Sequence, residues 1–293
     1  MIKYFSLFSG IGGLEYGLRK IGECVGFSEI KKQSIEIYKK HNRNAINFGN
    51  IDNIKYKEMP DFDLLLGGFP CQSFSLAGLR KGMEDERGKM IFRIYDILLA
   101  KAPKYFVLEN VKGLLNHNDN KTFRDVMKLL MYAGYKVRVV LLNSAHYGSA
   151  QSRERILFLG SKDDFDSKVP VIMNGKKRFR DIREDKPKAY RLVTNNKRNL
   201  DKIHQKNERN FEVIGGYDRV GTLTTQYGCG EKLVPMDEWY RYLTVLECER
   251  LQGFPDGFTE GQSDNARYWA LGNAVSCDTS KYLFENYLQG LWF

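Results

Sequence analysis

Along the first 160 positions, apolar residues fall in short blocks separated by stretches of helical spacing. Ile2–Phe8 predicts a strand, and Gly10, Gly12 and Gly13 interrupt it. Leu14 and Leu18, four residues apart, predict a helix after those glycines. Glu23–Phe27 predicts a second strand, ending at Glu29, and Lys31–His41 a helix. Asp63–Leu66 predicts a strand running into Gly67-Gly68-Phe69-Pro70-Cys71. Gly88–Lys101 has helical spacing, and Tyr105–Leu108 predicts a strand ending in Glu109-Asn110. Thr122–Ala133 predicts a helix with Val126, Leu129 and Leu130 on one face, and Lys136–Leu142 and Ile156–Leu159 two further strands. Such strand–helix alternation predicts an α/β fold with a doubly wound, largely parallel sheet.

The pattern lapses between Lys162 and Val234, where apolar runs are few and charges many. Leu243–Gln252 again predicts a helix, and Asn265–Leu288 returns to α/β character. The chain has 293 residues, enough for one large domain or one domain with a smaller insert. Its net charge of +10 and pI of about 9.2 favour a polyanionic partner, nucleic acid first. Ser161–Pro235 holds 17 Lys+Arg against 11 Asp+Glu, so six of the ten net charges sit there. Lys176–Arg191 alone has 8 basic and 3 acidic residues. This segment is expected to be an insert or small second domain with a basic face; a solvated loop is the alternative. Against the loop stand Tyr217, Leu223, Tyr227 and Val234, interleaved with glycines as in turns between packed strands.

The five cysteines include no C-x-x-C pair, and none is spaced with a histidine as a zinc site requires, so no metal is expected. Free thiols in a reducing cytosol are the default. No signal peptide and no membrane helix are expected.

Four clusters carry candidate chemistry. Phe8-Ser9-Gly10-Ile11-Gly12-Gly13 follows the first strand, where glycines permit a tight turn and close approach of a ligand. Glu29 ends the second strand, where a carboxylate can take both hydroxyls of a ribose. Position 15 is Glu and not Gly, which disfavours a dinucleotide and favours a cofactor without phosphates, such as S-adenosylmethionine. A structural glycine turn is the alternative. Gly68-Phe69-Pro70-Cys71-Gln72 sets a cysteine just past a strand, where a thiolate would be a nucleophile. In isolation a buried, inert cysteine is the better reading. Glu109 stands at a strand's carboxyl end. Gln151-Ser152-Arg153-Glu154-Arg155 places two arginines in period-2 register, hence on one face of the strand they enter. Arginine forks suit a carbonyl oxygen or a phosphate.

In this order the four clusters resemble the DNA cytosine-5 methyltransferase family, of the bacterial and phage restriction–modification type. Phe8–Gly13 resembles its cofactor loop, Pro70-Cys71-Gln72 its nucleophile motif, Glu109-Asn110-Val111 its acid motif and Gln151–Arg155 its Q-x-R-x-R motif. Glu249-Arg250-Leu251-Gln252-Gly253-Phe254-Pro255 is similar to its ninth motif and Arg267–Val275 to its tenth. The resemblance implies a Rossmann-like sheet that binds S-adenosylmethionine, with a small, basic target-recognition domain. It implies a discontinuous catalytic domain at 1–180 and 263–293, and recognition by 181–262. Cys71 would be the nucleophile at carbon 6 of cytosine, Glu109 the acid at nitrogen 3, and Arg155 the donor to the ring carbonyl. Arg153 would support the loop or the nucleophile region. Cofactor contacts carried over are Phe8, Gly10, Ile11, Gly12, Gly13, Glu29, Ile30, Asn50, Ile51, Pro70, Met90, Asn273, Ala274 and Val275. DNA contacts carried over are Ser75, Ala77, Arg87 and Thr222, with residues 75–88 a closing lid. Many relatives have Asp where Ser6 and Asn50 stand.

The resemblance further implies double-stranded DNA as partner, a monomer, a cytoplasmic location, and a cognate restriction endonuclease acting separately where one exists. Two other readings stay open: a tRNA cytosine-5 methyltransferase, since Cys71 and Glu109 do not separate the two, and a catalytically silent DNA-binding member. A nicotinamide dehydrogenase fails on the missing third glycine.

Overall fold

The computed structural model describes residues 1–69, 89–164, 168–192, 212–230, 232–236, 239–289 and 292. Two compact units emerge from the contacts. The first comprises Met1–Leu142, Glu154–Val171 and Lys281–Phe293, the second Asn143–Arg153 and Ile172–Ser280.

The first unit is built on six strands: β1 (Ile2–Leu7), β2 (Gly22–Ser28), β3 (Leu64–Gly68), β4 (Tyr105–Val111), β5 (Lys136–Asn143) and β6 (Glu154–Ser161). Their order across the sheet is β2-β1-β3-β4-β6-β5. β1, β2, β3 and β4 run parallel, and β6 is antiparallel to β4. The expected α/β, doubly wound, Rossmann-like arrangement is therefore present. Central strands of such sheets are covered on both faces and read as unbroken apolar runs; Leu64, Leu65 and Leu66 of β3 are all fully buried. Phe5 and Leu7 of β1 join a core with Ile94, Ile97 and Leu98 of α2 (Lys89–Lys101) and Val126, Leu129 and Leu130 of α3 (Lys121–Tyr132). The alternate β1 residues, Tyr4 and Ser6, point to the other face, which α1 (Lys32–His41) covers with Tyr38 stacked on Phe27 at 4.3 Å. Strand order reverses between β1 and β3. Open α/β sheets bind ligands outside the carboxyl ends of strands at such a switch point.

Two local expectations differ. The helix predicted after Gly13 is a five-residue 3-10 turn, Leu14–Leu18. Only eight residues separate Gly13 from β2 at Gly22, too few for a longer helix and its exit. The region 265–288 is helical on either side of a break at 274–276 and carries no strand among its described residues: α5 (Asp264–Asn273), α6 (Cys277–Lys281) and a π-helical turn, Tyr282–Tyr287. Tyr268 and Leu271, and then Leu283 and Tyr287, are buried at the three- and four-residue spacing of a helix. The chain's end belongs to the first unit, where Tyr105 stacks on Trp292 at 4.5 Å and donates to its carbonyl at 3.1 Å.

The second unit contains a three-stranded sheet, β7 (Glu212–Val213), β8 (Lys232–Pro235) and β9 (Tyr240–Tyr242), with α4 (Val245–Leu251) and α5. A fully buried ion pair, Arg241 to Glu247 at 2.7 Å, ties β9 to α4. Phe179 and Ile182 are buried, so the basic stretch around them is anchored and not a free loop.

Candidate active site

In the first unit the loop after β1 turns through left-handed backbone at Phe8 (φ 52°), Gly10 (φ 54°) and Gly12 (φ 88°). Glycine takes this conformation without strain. The Glu29 carboxylate, just past β2, accepts the Gly10 N–H at 2.9 Å and the N–H groups of Ile30 and Lys31 at 2.8 Å each. Asn47 accepts from the backbone of Glu29 and of Gly49. Asn50 caps the turn Ile51–Asn53 through the Asp52 N–H at 3.0 Å, and Ile51 is buried. Ile30 is exposed. Ile11 is buried, while Phe8 and Met90 are half-buried against the main core. The first unit thus gathers Phe8–Gly13, Glu29, Ile30, Asn50 and Ile51 around the ends of β1 and β2.

Beneath this loop lies a buried polar group that sequence reasoning did not single out as a site. Ser6 donates to Glu15, whose second carboxylate oxygen has no hydrogen-bond partner. Cys24 and Tyr38 face one another there at 3.3 Å. Burial pushes the Glu15 carboxyl up to about 7 and the Cys24 thiol up to about 11. Burial also raises the phenols of Tyr4 and Tyr38.

At the carboxyl edge of β4, Glu109 meets Arg155 of β6 at 2.7 Å, each side chain 12% exposed. The antiparallel register, Val111 opposite Arg155 and Glu109 opposite Leu157, brings these residues together across 46 positions of chain. Gly68 sits opposite Glu109 in β3, and a methyl group there would lie 3.2 Å from the Glu109 carboxylate. Asn110, buried beside Glu109, donates to the Phe69 carbonyl at 2.9 Å. Phe69 immediately precedes Pro70 and Cys71 in the chain. Asn110 lies within the acid motif, but nothing in its sequence spacing marks this clamp. Pro70, Cys71, Ser75, Ala77 and Arg87, with the lid expected at 75–88, lie outside the described residues.

In the second unit Arg153 is buried, donating to the carbonyls of Leu223 at 3.2 Å and Gly272 at 3.1 Å. β6 starts at Glu154, so Arg153 precedes the strand, and the two arginines do not share a strand face as the period-2 spacing predicted. Thr222 donates to the Ser152 carbonyl at 3.0 Å. Gln151, fully buried, donates to the Leu251 carbonyl and the Gln252 side chain and accepts the Leu223 N–H at 2.9 Å. Glu249 is fully buried and accepts from the backbone of Gly257 and Thr259 and from Arg267. Asn273, Ala274 and Val275 end α5 and follow it: Asn273 is exposed, Ala274 buried and Val275 half-buried. Among the described residues, no group of three metal-ligating side chains forms, and no helix is long and apolar enough to cross a membrane.

The sequence profile of a family described as C-5 cytosine-specific DNA methylase matches residues 2–228 and 217–289. The Type II methyltransferase M.NlaX of Neisseria lactamica is 34% identical over 307 residues, 97% of this chain and 96% of that protein. The orphan methyltransferase M.Rho11sI of Bacillus phage rho11s is 44% identical over 195 residues. That match covers 62% of this chain and spans only 39% of the phage protein's length. Among solved structures, the S. pombe Dnmt2 methyltransferase shares the fold with a TM-score of 0.79 over the whole of both chains, at 24% identity.

Proposed function

The chain belongs to the C-5 cytosine-specific DNA methylase family, and on that premise we propose that it moves a methyl group from S-adenosylmethionine to carbon 5 of a cytosine flipped out of duplex DNA, with Cys71 as nucleophile. The observation that carries this is the Glu109–Arg155 pair. A carboxylate and a guanidinium are held 2.7 Å apart on neighbouring strands, beside the β3 end that leads into Phe69-Pro70-Cys71.

The loop residues fit the cofactor. A methyl group on Gly10 or Gly49 would meet no atom within 4 Å, so open space fronts the loop, and the Glu29 carboxylate stands at its rim. When bound, S-adenosylmethionine supplies an electrophilic methyl. Phe8, Gly10–Gly13, Glu29, Ile30, Asn50, Ile51, Pro70, Met90 and Asn273–Val275 are the residues we assign to holding it.

Carbon 5 of cytosine is a poor nucleophile until addition at carbon 6 turns it into an enamine carbon, which can then take an electrophilic methyl. The Cys71 thiolate adds at carbon 6, and electron density moves toward nitrogen 3. Glu109 holds a proton at that nitrogen, and Arg155 fixes the Glu109 carboxylate while turning its remaining N–H groups to the ring carbonyl. Asn110 steadies the backbone just before the nucleophile through the Phe69 carbonyl. Arg153 acts at one remove, as a positioning residue for Leu223 beside Thr222. A base, for which a water suffices, then takes the carbon 5 proton, and elimination frees the Cys71 thiolate. The target base leaves the stack for this chemistry. Ser75, Ala77, Arg87 and Thr222 contact the DNA, and 181–262 reads the sequence while 1–180 with 263–293 performs the transfer.

The test uses bacterial DNA free of 5-methylcytosine, labelled S-adenosylmethionine and a tRNA arm, with bisulfite mapping of the product. Methylation at carbon 5 in duplex DNA is expected, abolished in Cys71→Ala. DNA carrying 5-fluorocytosine should stay bonded to Cys71, because fluorine does not leave as a cation. Label in tRNA alone, or methylation of DNA without trapping, overturns the substrate or the covalent step respectively.

A further inference from the structure

The basic stretch of the second unit carries a small built feature that the catalytic reading does not use. Gly215–Asp218 close a turn in which the Asp218 N–H donates to the Gly215 carbonyl at 3.1 Å, and the Asp218 carboxylate accepts the Gly215 N–H at 2.7 Å. A methyl on Gly215 would lie 2.8 Å from that carboxylate, which would have to shift to admit it. The 3-10 turn Phe179–Asp181 docks onto it: the Phe179 N–H donates to the Asp218 carbonyl at 3.0 Å and the Arg180 N–H to the Gly216 carbonyl at 2.8 Å. Phe179 is fully buried and pins the assembly. Four hydrogen bonds and a buried ring thus fix a turn whose third residue, Tyr217, is 75% exposed. The Arg180 guanidinium lies over the Tyr217 ring, 4.5 Å from its centroid.

An exposed ring can be incidental. This one is held rigidly, and its surroundings are positive. Asp218 is committed to the Gly215 N–H, and Asp181 accepts the Arg178 N–H at 2.7 Å, with its other oxygen 3.6 Å from the Arg180 guanidinium. Arg219, next along the chain, donates to the Gly175 carbonyl. Burial and the nearby charge of Arg178 hold the Arg219 guanidinium below its ordinary value. Two arginines crowded together gain from a polyanion that sits over both.

We propose that the Gly215–Asp218 turn is a DNA-docking element, in which Tyr217 packs its ring against the base and sugar edges of a duplex groove while Arg180 engages a backbone phosphate. This rests on the methyltransferase reading above and names a contact made by Tyr217 of its recognition segment and Arg180 at that segment's border. A rigid aromatic with two side-chain torsions loses little freedom on binding. A guanidinium already stacked on it is oriented before a phosphate arrives.

The test measures filter binding of unmethylated plasmid fragments across a sodium chloride series, alongside methylation of the same plasmid and competition by tRNA. Tyr217→Ala is expected to weaken binding about tenfold, as truncation of an aromatic contact at an interface does, with the salt slope unchanged. Tyr217→Phe should stay within about twofold. Arg180→Gln should lower the log–log salt slope by about one, the loss of a single phosphate contact. If the native chain methylates the plasmid but both Tyr217→Ala and Arg180→Gln bind it like wild type, the docking element is refuted and the enzyme assignment stands. Preferential capture of tRNA also overturns the proposal. A native chain that methylates no DNA overturns the methyltransferase reading and the docking element together.

Discussion

Glu15 offers the sharpest thermodynamic test of the architecture beneath the Phe8–Gly13 loop. Its carboxyl is 3% exposed, receives one hydrogen bond from Ser6 and leaves its second oxygen without a hydrogen-bond partner. Burial raises its pKa from the ordinary 4.5 to about 7; the hydrogen bond from Ser6 opposes that shift, and the charge of Glu29 adds to it. Tyr4, Tyr38 and Cys24, the other titratable groups facing it, are all shifted upward and remain neutral through this range. An acid that binds its proton more tightly folded than unfolded makes stability fall as pH rises between the two values. The stabilisation is complete below about 4.5 and gone above about 7. The interval from 4.5 to about 7 corresponds to about 3 kcal/mol, at roughly 1.36 kcal/mol per pH unit. Glu15→Gln keeps an acceptor for Ser6 and has nothing to ionise. Hydrogen exchange of the β1 and β2 amides, compared between variant and wild type at each pH, reads the difference directly. Protection should match near pH 4.5, and the variant should exceed wild type by about a hundredfold at pH 8. A gap that is constant with pH, or that widens toward acid, refutes a buried, ionisable Glu15.

Other expectations follow from the same contacts. Arg155→Ala strands the Glu109 carboxylate without its partner, which should destabilise the first unit by about 3 kcal/mol and remove methyl transfer; urea unfolding and a labelled-methyl assay check both. Gly272→Ala would set a methyl 2.1 Å from the Thr224 carbonyl oxygen, a backbone atom that has nowhere to go, so α5 should lose its seat and the variant should melt well below wild type. Gly10→Ala meets no atom within 4 Å but adopts φ 54°, so it should cost only about 1 kcal/mol of stability. Calorimetric titration should show a larger loss of S-adenosylmethionine affinity in Gly10→Ala, because its methyl enters the space in front of the loop.

The strands and the longer helices were legible because burial leaves a local periodic trace. Leu64–Leu66 is an unbroken apolar run since β3 is covered on both faces, and α3 repeats Val126, Leu129 and Leu130 at helical spacing. The turn at Leu14–Leu18 has the same spacing and is still no α-helix, because the distance to β2 decides it and hydrophobicity does not. Polar residues inside the second unit left no such trace. Gln151, Glu247, Glu249 and Gln252 are all fully buried. Gln151, for one, finds partners 72 and 101 positions away, at Leu223 and Gln252. A lone buried amide or carboxylate is costly, and these are satisfied only through the fold, so their place follows from long-range pairing and not from neighbours in sequence.

The stretch Gln151–Arg155 shows how one motif divides its labour. Its letters look equivalent, three long polar side chains at every second position. Gln151 and Arg153 brace the second unit, the first through Leu223, Leu251 and Gln252, the second through the carbonyls of Leu223 and Gly272. Both therefore converge on Leu223, next to Thr222. Arg155 lies inside β6 and faces Glu109. Losing either brace should disturb the Thr222-Leu223 segment, whereas losing Arg155 acts on the carboxylate itself. A double-mutant cycle separates the roles: Gln151 and Arg153 share Leu223 and should couple by roughly 1 kcal/mol or more. Thermal unfolding of Gln151→Ala, Arg153→Ala and the double variant measures that coupling. Strict additivity would mean that the shared contact at Leu223 carries no energy and that the two residues brace the unit independently.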